Sequence, residues 1–325
     1  MSTEMKEIDE RRVADSFFSK HWLWQIGSEE LASGVVSPSV IDELARRLPH
    51  IARDSWSDRF ELGGVYLAGR SAHVEARIIE PSRLEYYEPK LSLEALASWY
   101  PAFSTEWILH RDDDLAIVYK PSRLPTTAAR DQRRYNLAEY LSLHFGRPIH
   151  LPSRLDTAVS GLLICSLSER MNRYLQKAYE RRWVEKYYLA ETSSVPPWFS
   201  RSVDWDIARD PRHPVLRRCV EVGQGEIALT EIVRLSSVSQ SALLRAKPVT
   251  GRTHQIRLHL STEGFPIIGD PYYAGAISED LHLVSYAIRF YHPYARSMFS
   301  LELPKELQPK WLREFDTSSV LPVLD

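Results

Sequence analysis

The chain has 325 residues, 44% of them apolar and 26% charged, with a net charge of −2. This is the balance of a globular chain long enough for two domains, and it excludes a disordered, fibrous or collagen-like protein. No apolar run approaches the roughly 20 residues that cross a bilayer, no basic-then-apolar secretion signal is present, and two cysteines, Cys165 and Cys219, are too few for a disulfide framework or a cysteine zinc site.

A reducing, cytoplasmic setting is therefore expected. The small net charge hides an asymmetry. Residues 1–100 carry 12 Lys and Arg against 17 Asp and Glu, whereas residues 120–260 carry 23 against 13. A phosphate backbone senses such local charge within a Debye length of about 10 Å.

In chain order, residues 1–35, with Trp22 and Trp24 among acidic neighbours, read as an N-terminal arm. Residues 36–88 form a small module, with a helix predicted over 39–47 and strand, turn, strand over 63–70. Residues 89–108 are predicted as a helix and linker. From 109 to 325 strands and helices alternate.

Residues 115–119 and 161–165 read as buried strands, and 137–145 as a helix stopped by Gly146 and Pro148. A helix capped by Ser166 or Ser168 runs to about Arg182, and 184–190 returns as a strand. Two more strands, 226–235 and 241–249, precede a helix from Arg252 to Glu263 ended by Gly264. The fold class is α+β: a mostly antiparallel mixed sheet flanked by helices, preceded by the small α/β module.

Three stretches carry chemistry. The first is Arg154-Leu155-Asp156-Thr157-Ala158-Val159-Ser160-Gly161-Leu162-Leu163-Ile164, and the second is Lys186-Tyr187-Tyr188-Leu189-Ala190. The third is Gly251-Arg252-Thr253-His254-Gln255-Ile256-Arg257-Leu258-His259, followed by Gly269-Asp270-Pro271-Tyr272-Tyr273-Ala274-Gly275. Asp156, just before an apolar strand, reads as an edge carboxylate facing a cleft, or else as a surface carboxylate paired with Arg154 or Thr157. Tyr188 on a strand is by itself read as core or sheet surface. An arginine on the inner side of a helix, as Arg257 is, needs an anion. Asp156 is a candidate for it, though spacing does not bring the two together.

Taken together, the stretches resemble the RluA family of RNA pseudouridine synthases over roughly residues 109–303. The motif Arg-Leu-Asp with Ser-Gly-Leu-Leu downstream is matched at 154–163, Lys-x-Tyr-x-Ala at 186–190, Gly-Arg-Thr-His-Gln-Ile-Arg at 251–257 and Gly-Asp-Pro-x-Tyr-x-Gly at 269–275. Lys120-Pro121 resembles the family's Lys-Pro-x-Gly-Leu-Pro motif. The resemblance implies the pseudouridine synthase fold and isomerisation of uridine in structured RNA, ribosomal or transfer.

It also implies roles. Asp156 matches the nucleophile, Arg257 its ion-pair partner, and Tyr188 the tyrosine that packs on the target base and helps remove its C5 proton. Arg154 matches the arginine that fills the gap left by the flipped base, since a base must leave the stack to react. Ile256 and Leu258 are expected as apolar pocket walls, with Lys186 and Arg252 among the substrate-binding side chains.

No cofactor or metal is required. His254 and His259, five apart, miss the zinc spacing of i and i+4 on a helix, so a core or hydrogen-bonding role is expected for both. Ser160 lacks the frame of a hydrolase elbow, and no phosphate-binding glycine loop occurs.

Phosphate contacts are expected from Arg170, Arg173, Lys177 and Arg181, spaced along one face of a helix whose other side offers Met171, Leu175, Ala178 and Tyr179 to the core. Loop clusters at Arg130, Arg133 and Arg134, and at Arg209, Arg212, Arg217 and Arg218, could add to them without reading sequence. Arg59 and Gly64-Val65-Tyr66-Leu67-Ala68-Gly69 resemble the end of an S4-type RNA-binding module, for which docking or stability is the alternative role.

Three departures stand out. Ser153 replaces the family's His before Arg154. Arg123 replaces a Gly, from which another course of that loop is expected. Thr126 and Thr127 replace Val-His, which is read as a change at the substrate rim. The partner is thus structured RNA, with monomer the simplest assembly. The competing readings are a catalytically silent RNA-binding or folding factor on the same scaffold, and a hydrolase of free nucleosides.

Overall fold

The computed structural model describes residues 18–32, 37–62, 64–89, 100–128, 135–211, 216–273 and 275–317. The chain divides into two compact units, residues 1–101 with 127–139 and residues 102–126 with 140–325.

The first unit holds an antiparallel sheet of β1 (Phe18–Ile26), β2 (Val65–Leu67), β3 (Arg70–Ser71) and β4 (Ser82–Pro89), in the order β1-β4-β2-β3. Its helices are α1 (Ser28–Ala32), α2 (Val40–Arg47) and α3 (Trp56–Glu61). Ser39 caps α2, its hydroxyl accepting the N–H of Asp42 at 3.1 Å. Val40 and Leu44, one helical turn apart, pack into a core with Trp56, Phe60, Leu84 and Tyr86.

The boundary expected at residue 35 falls inside this unit. β1 pairs with β4, placing Trp22 opposite Tyr86 and Trp24 opposite Leu84. The alternation of Trp22, Trp24 and Ile26 is a strand pattern, and it turns one apolar face to the core. Pro89 closes a strand instead of opening a helix, and residues 90–99 of the expected linker lie outside the described residues. Arg59 donates to Tyr86 Oη at 2.8 Å and pairs with Glu88 at 3.2 Å.

The second unit is built on a nine-stranded mixed sheet. Its strands are β5 (Ile108–Arg111), β6 (Leu115–Lys120), β7 (Ser160–Ser166), β8 (Glu185–Thr192), β9 (Ser200–Val203), β12 (Thr230–Val238), β13 (Ser241–Pro248), β14 (Leu283–His292) and β15 (Ser297–Glu302). A separate antiparallel hairpin joins β10 (Asp206–Arg209) to β11 (Arg217–Val220). The path is β5-β6-β7-β14-β8-β13-β12-β9, with β15 beside β14, and β7 with β14 is a parallel pair.

Gly161 makes that pairing possible. Its φ is +118°, and a Cβ there would stand 2.2 Å from the carbonyl oxygen of Ser285 on β14.

Its helices are α5 (Glu169–Glu180) and α6 (Gln255–Thr262), and a further helix, α4 (Leu137–Phe145), begins in the segment assigned to the first unit and ends in the second. Ser168, not Ser166, caps α5, accepting from Met171 N at 3.2 Å. Met171, Leu175 and Ala178 of α5 pack on Leu162, Ile164, Tyr187 and Leu189 of the sheet, the inner face expected from their spacing. Helix α6 begins at Gln255 instead of Arg252. His254, at its N-cap, has φ +60°, outside helical geometry. Among the described residues no helix is long and apolar enough to cross a membrane.

Candidate active site

Side chains alternate across a strand. Because Tyr187 and Leu189 of β8 belong to the core beneath α5, Lys186 and Tyr188 point to the opposite face of the sheet. Asp156 lies in the turn that feeds β7, where its carbonyl accepts the N–H of Val159 at 3.0 Å. Helix α6 brings Arg257 to it across 101 residues of sequence: Arg257 Nη1 donates to Asp156 Oδ2 at 3.1 Å.

Asp156 is the exposed member of the pair, with 28% of its side chain accessible against 3% for Arg257. Arg257 is held from behind by Asp270, whose Oδ2 and Oδ1 each accept at 2.8 Å from Nε and Nη2. Burial opposes the Arg257 charge, but the bonds to Asp270 and the proximity of Asp156 outweigh it and raise its pKa. Asp270 is itself oriented by the N–H groups of Tyr272 at 2.9 Å and Tyr273 at 3.3 Å. The planar fork of Arg257 thus serves two carboxylates, one buried and one reaching into the open. Among the described residues Asp156 Oδ1 accepts no hydrogen bond.

Tyr188 is buried beside this carboxylate. Burial raises its phenol pKa, a hydrogen bond with Ser285 resists, and the negative Asp156 adds to the rise. The phenol is therefore protonated at neutral pH. The Lys186 ammonium lies 5.5 Å from the ring centre of Tyr179 and 5.9 Å from that of Tyr188, in cation–π range of both. Ser153, which stands where the family has a histidine, donates to Tyr179 Oη at 3.1 Å.

Lys120 has no role assigned from sequence. It ends β6 opposite Gly161 and is fully buried. Its Nζ donates to the carbonyls of Pro121 at 2.9 Å, Leu124 at 2.7 Å and Thr157 at 3.1 Å. Burial pulls its pKa down to about 7, with Asp156 opposing. Serving three acceptors at once needs the three protons of the ammonium form.

The same loop grips the Asp156 turn at two more points. Ser122 Oγ donates to Ala158 O at 2.9 Å, and the Thr126 hydroxyl donates to Leu155 O at 2.7 Å and accepts from Leu155 N at 3.0 Å. Thr126 is thus a buried brace of the candidate nucleophile's loop, not a rim residue. Arg123 does adopt the left-handed conformation, with φ +66°, so the loop keeps the course a glycine would allow. The guanidinium of Arg123 pairs with Glu279 at 3.2 Å.

Several expectations take a different form. Arg170 is not a free phosphate contact: it makes a forked pair with the buried Asp114, Nε to Oδ1 at 2.6 Å and Nη2 to Oδ2, and lies 4.3 Å from the ring centre of Tyr294. Arg173 pairs with Glu169 at 3.7 Å on the surface, and Arg181 lies over Trp183 at 5.0 Å. Arg252 donates to Ile227 O at 3.0 Å and pairs with Glu226 at 2.9 Å. Leu258 packs into a satellite core with Ile207, Ala228 and Tyr273. Ile256 is buried, and Arg154 is exposed. Arg130, Arg133, Arg134 and Arg212 lie outside the described residues.

Both histidines make the hydrogen bonds expected of them. His259 Nδ1 lies 2.9 Å from Thr230 Oγ1 and Nε2 3.0 Å from Trp205 O. His254 Nδ1 lies 2.7 Å from Tyr273 Oη.

Comparison with known proteins gives the same direction from every side. The family model described as RNA pseudouridylate synthase matches residues 114–262. The dual-specificity RNA pseudouridine synthase RluA of Escherichia coli K12 is 32% identical over 208 residues, 59% of this chain and 90% of that protein. Its namesake in Vibrio cholerae is 26% identical over 224 residues, 66% of this chain and 91% of that one.

Among solved structures, human RNA pseudouridylate synthase domain containing 4 aligns with a TM-score of 0.52 at 26% identity, over 64% of this chain and 91% of its own. Human RNA pseudouridylate synthase domain containing 1 shares the fold, with a TM-score of 0.53 at 23% identity over 64% and 88%. Covering nine-tenths of a relative with which it is 32% identical, the chain belongs to the RNA pseudouridylate synthase family, of the RluA type.

Proposed function

We propose that this protein isomerises uridine to pseudouridine in structured RNA, ribosomal or transfer, with Asp156 as nucleophile. The observation that carries the reading is the Asp156–Arg257–Asp270 chain, in which a half-open carboxylate is held at one oxygen by a buried guanidinium. The reaction breaks the N-glycosidic bond of an extruded base and rejoins the base through C5, for which the nucleophile must be ionised. Arg257 holds Oδ2, and Oδ1 is the oxygen left to attack. Tyr188, with its proton held on by burial, offers its ring to the flipped base, and it takes part in proton transfer only after giving up that proton. Arg154, exposed before the turn, is suited to enter the stack where the base has left. Lys186 and Ile256 complete the substrate side, and Arg252 joins them where RNA displaces its surface pair with Glu226. Lys177, Arg173 and Arg181 are its phosphate contacts.

The test is tritium release from bulk RNA labelled at uridine C5, comparing wild type with Asp156→Ala. Release that vanishes in the variant while RNA binding persists is the expected outcome. No release by the folded wild type would move the reading to a silent RNA-binding factor.

A further inference from the structure

We propose that His254 is a positioning residue for Asp156, fixed in one tautomer by Tyr273 so that its Nε2–H faces the carboxylate oxygen already held by Arg257. This rests on the isomerisation reading above.

His254 Nε2 is 3.8 Å from Asp156 Oδ2, the oxygen that accepts from Arg257 Nη1 at 3.1 Å. That is too long for a hydrogen bond, and it sets the edge of the neutral ring next to the carboxylate. The ring is fixed from several sides. It stacks on Tyr272 at 6.0 Å and meets Tyr273 edge-on at 5.6 Å, and its main chain holds φ +60°. A non-glycine residue persists in that region only where its surroundings determine it.

Tyr273 decides the tautomer. Its oxygen accepts the backbone N–H of Arg217 at 3.2 Å, and its own proton has His254 Nδ1 as acceptor at 2.7 Å. With Nδ1 accepting, the proton of a neutral imidazole sits on Nε2, toward Asp156. Oδ2 then faces two donors, while Oδ1 accepts no hydrogen bond among the described residues. Tyr273 is in turn packed against Ile207, Ala228 and Leu258, so the hydroxyl stands on a rigid base.

The charged and titratable groups facing His254 are Asp156, Asp270, Arg257 and Arg217, with the phenols of Tyr272 and Tyr273. Burial keeps the imidazole neutral, Asp156 resists this, and Arg257 supports it. In acid, a protonated His254 would join Arg257 in holding Oδ2 and draw electron density from the nucleophile.

The experiment is single-turnover tritium release from RNA labelled at uridine C5, from about pH 5 to about pH 9, with wild type, His254→Asn and Tyr273→Phe. Asn tolerates the left-handed backbone without supplying the ring, and Phe keeps the packing while removing one hydroxyl. Both variants should release tritium about 10-fold or more slowly, with RNA affinity within about twofold of wild type. The acid limb of the wild-type profile should disappear in His254→Asn and move to higher pH in Tyr273→Phe, where Nδ1 is free to take a proton.

Rates and profiles like wild type in both variants would overturn the proposal. So would a uniform loss at every pH accompanied by a lower melting temperature, which marks a purely structural role. Release by Asp156→Ala, or none by wild type, would instead strike the isomerisation reading on which it stands.

Discussion

Asp270 bears on the reaction without reaching into the open. It gives both oxygens to Arg257, and the third arm of that guanidinium is what Asp156 receives. Asp270→Asn would remove one of two charges facing a buried cation and leave only one oxygen to accept. Breaking a buried pair from one side costs about 3–5 kcal/mol. We expect a folded variant destabilised by about 3 kcal/mol in urea unfolding, with tritium release slowed at least 10-fold because Arg257 loses its orientation. Stability and rate both within error of wild type would show that Arg257 needs no second carboxylate. Asp156, Arg257 and Tyr188 were legible in the chain because each lies inside a contiguous motif. Lys120 and Thr126 were not, since their partners are the main-chain atoms of Thr157 and Leu155, 37 and 29 residues away, and a carbonyl has no signature in sequence. His254 and Asp270 stood inside quoted motifs, yet only the fold sets them around Asp156.

At the scale of elements, strand and helix periodicities located the core of the second unit closely. They could not say which charges on a helix are committed. In α5 the spacing of Arg170, Arg173, Lys177 and Arg181 reads as one basic face, but Arg170 is spent on Asp114, a residue 56 positions earlier. The Asp114 carboxyl lies below its ordinary range chiefly through that bond. The face should therefore split in function. Arg170→Ala is expected to lower the melting temperature and leave the salt dependence of RNA binding unchanged. Lys177→Ala is expected to leave stability unchanged and reduce the slope of log K against log salt by about 0.7–0.9, one phosphate contact. Equal slopes in all three proteins would remove Lys177 from the RNA-binding surface. The missed strand β1 has a similar lesson. Its alternation of Trp22, Trp24 and Ile26 was visible, but acidic neighbours and a terminal position suggested an arm, and pairing with a strand some 60 residues later has no local sign.

For the whole molecule, the buried titratable groups together set the pH at which the fold is firmest. His254 and His259 are both held below the ordinary histidine value of 6.5, chiefly by burial. The unfolded chain then binds more protons than the native one as pH falls through 6.5, so stability drops on acidification there. Lys120, lowered from 10.5 to about 7, has the same sign over a higher window: as pH rises from about 7 to 10.5 the unfolded lysine keeps its proton longer, and stability rises. The limb beyond has the opposite sign. Tyr187 and Tyr273 are raised above 10.0 by burial, and Lys247 is raised above 10.5 because burial, which pulls it down, is outweighed by its bond to Glu185 together with the negative charge of Tyr187, Glu185 and Glu231 around it. All three hold protons in the native state that the unfolded state has released, so stability falls as pH climbs past those values. Carboxylates such as Asp114, lowered from 3.8, matter only in stronger acid. The sum places the maximum on the alkaline side of neutrality, between about pH 8 and about pH 10, away from the sequence pI near 6.6. Urea unfolding at pH 5.5, 7, 9.5 and 11.5 should show a rise, a peak at 9.5 and a fall. His259→Gln, which keeps an uncharged hydrogen-bonding side chain, should flatten the rise between 5.5 and 7. A profile with its maximum at or below neutrality would mean that the unfolded state, or relaxation around Lys120, offsets the cost of these buried groups.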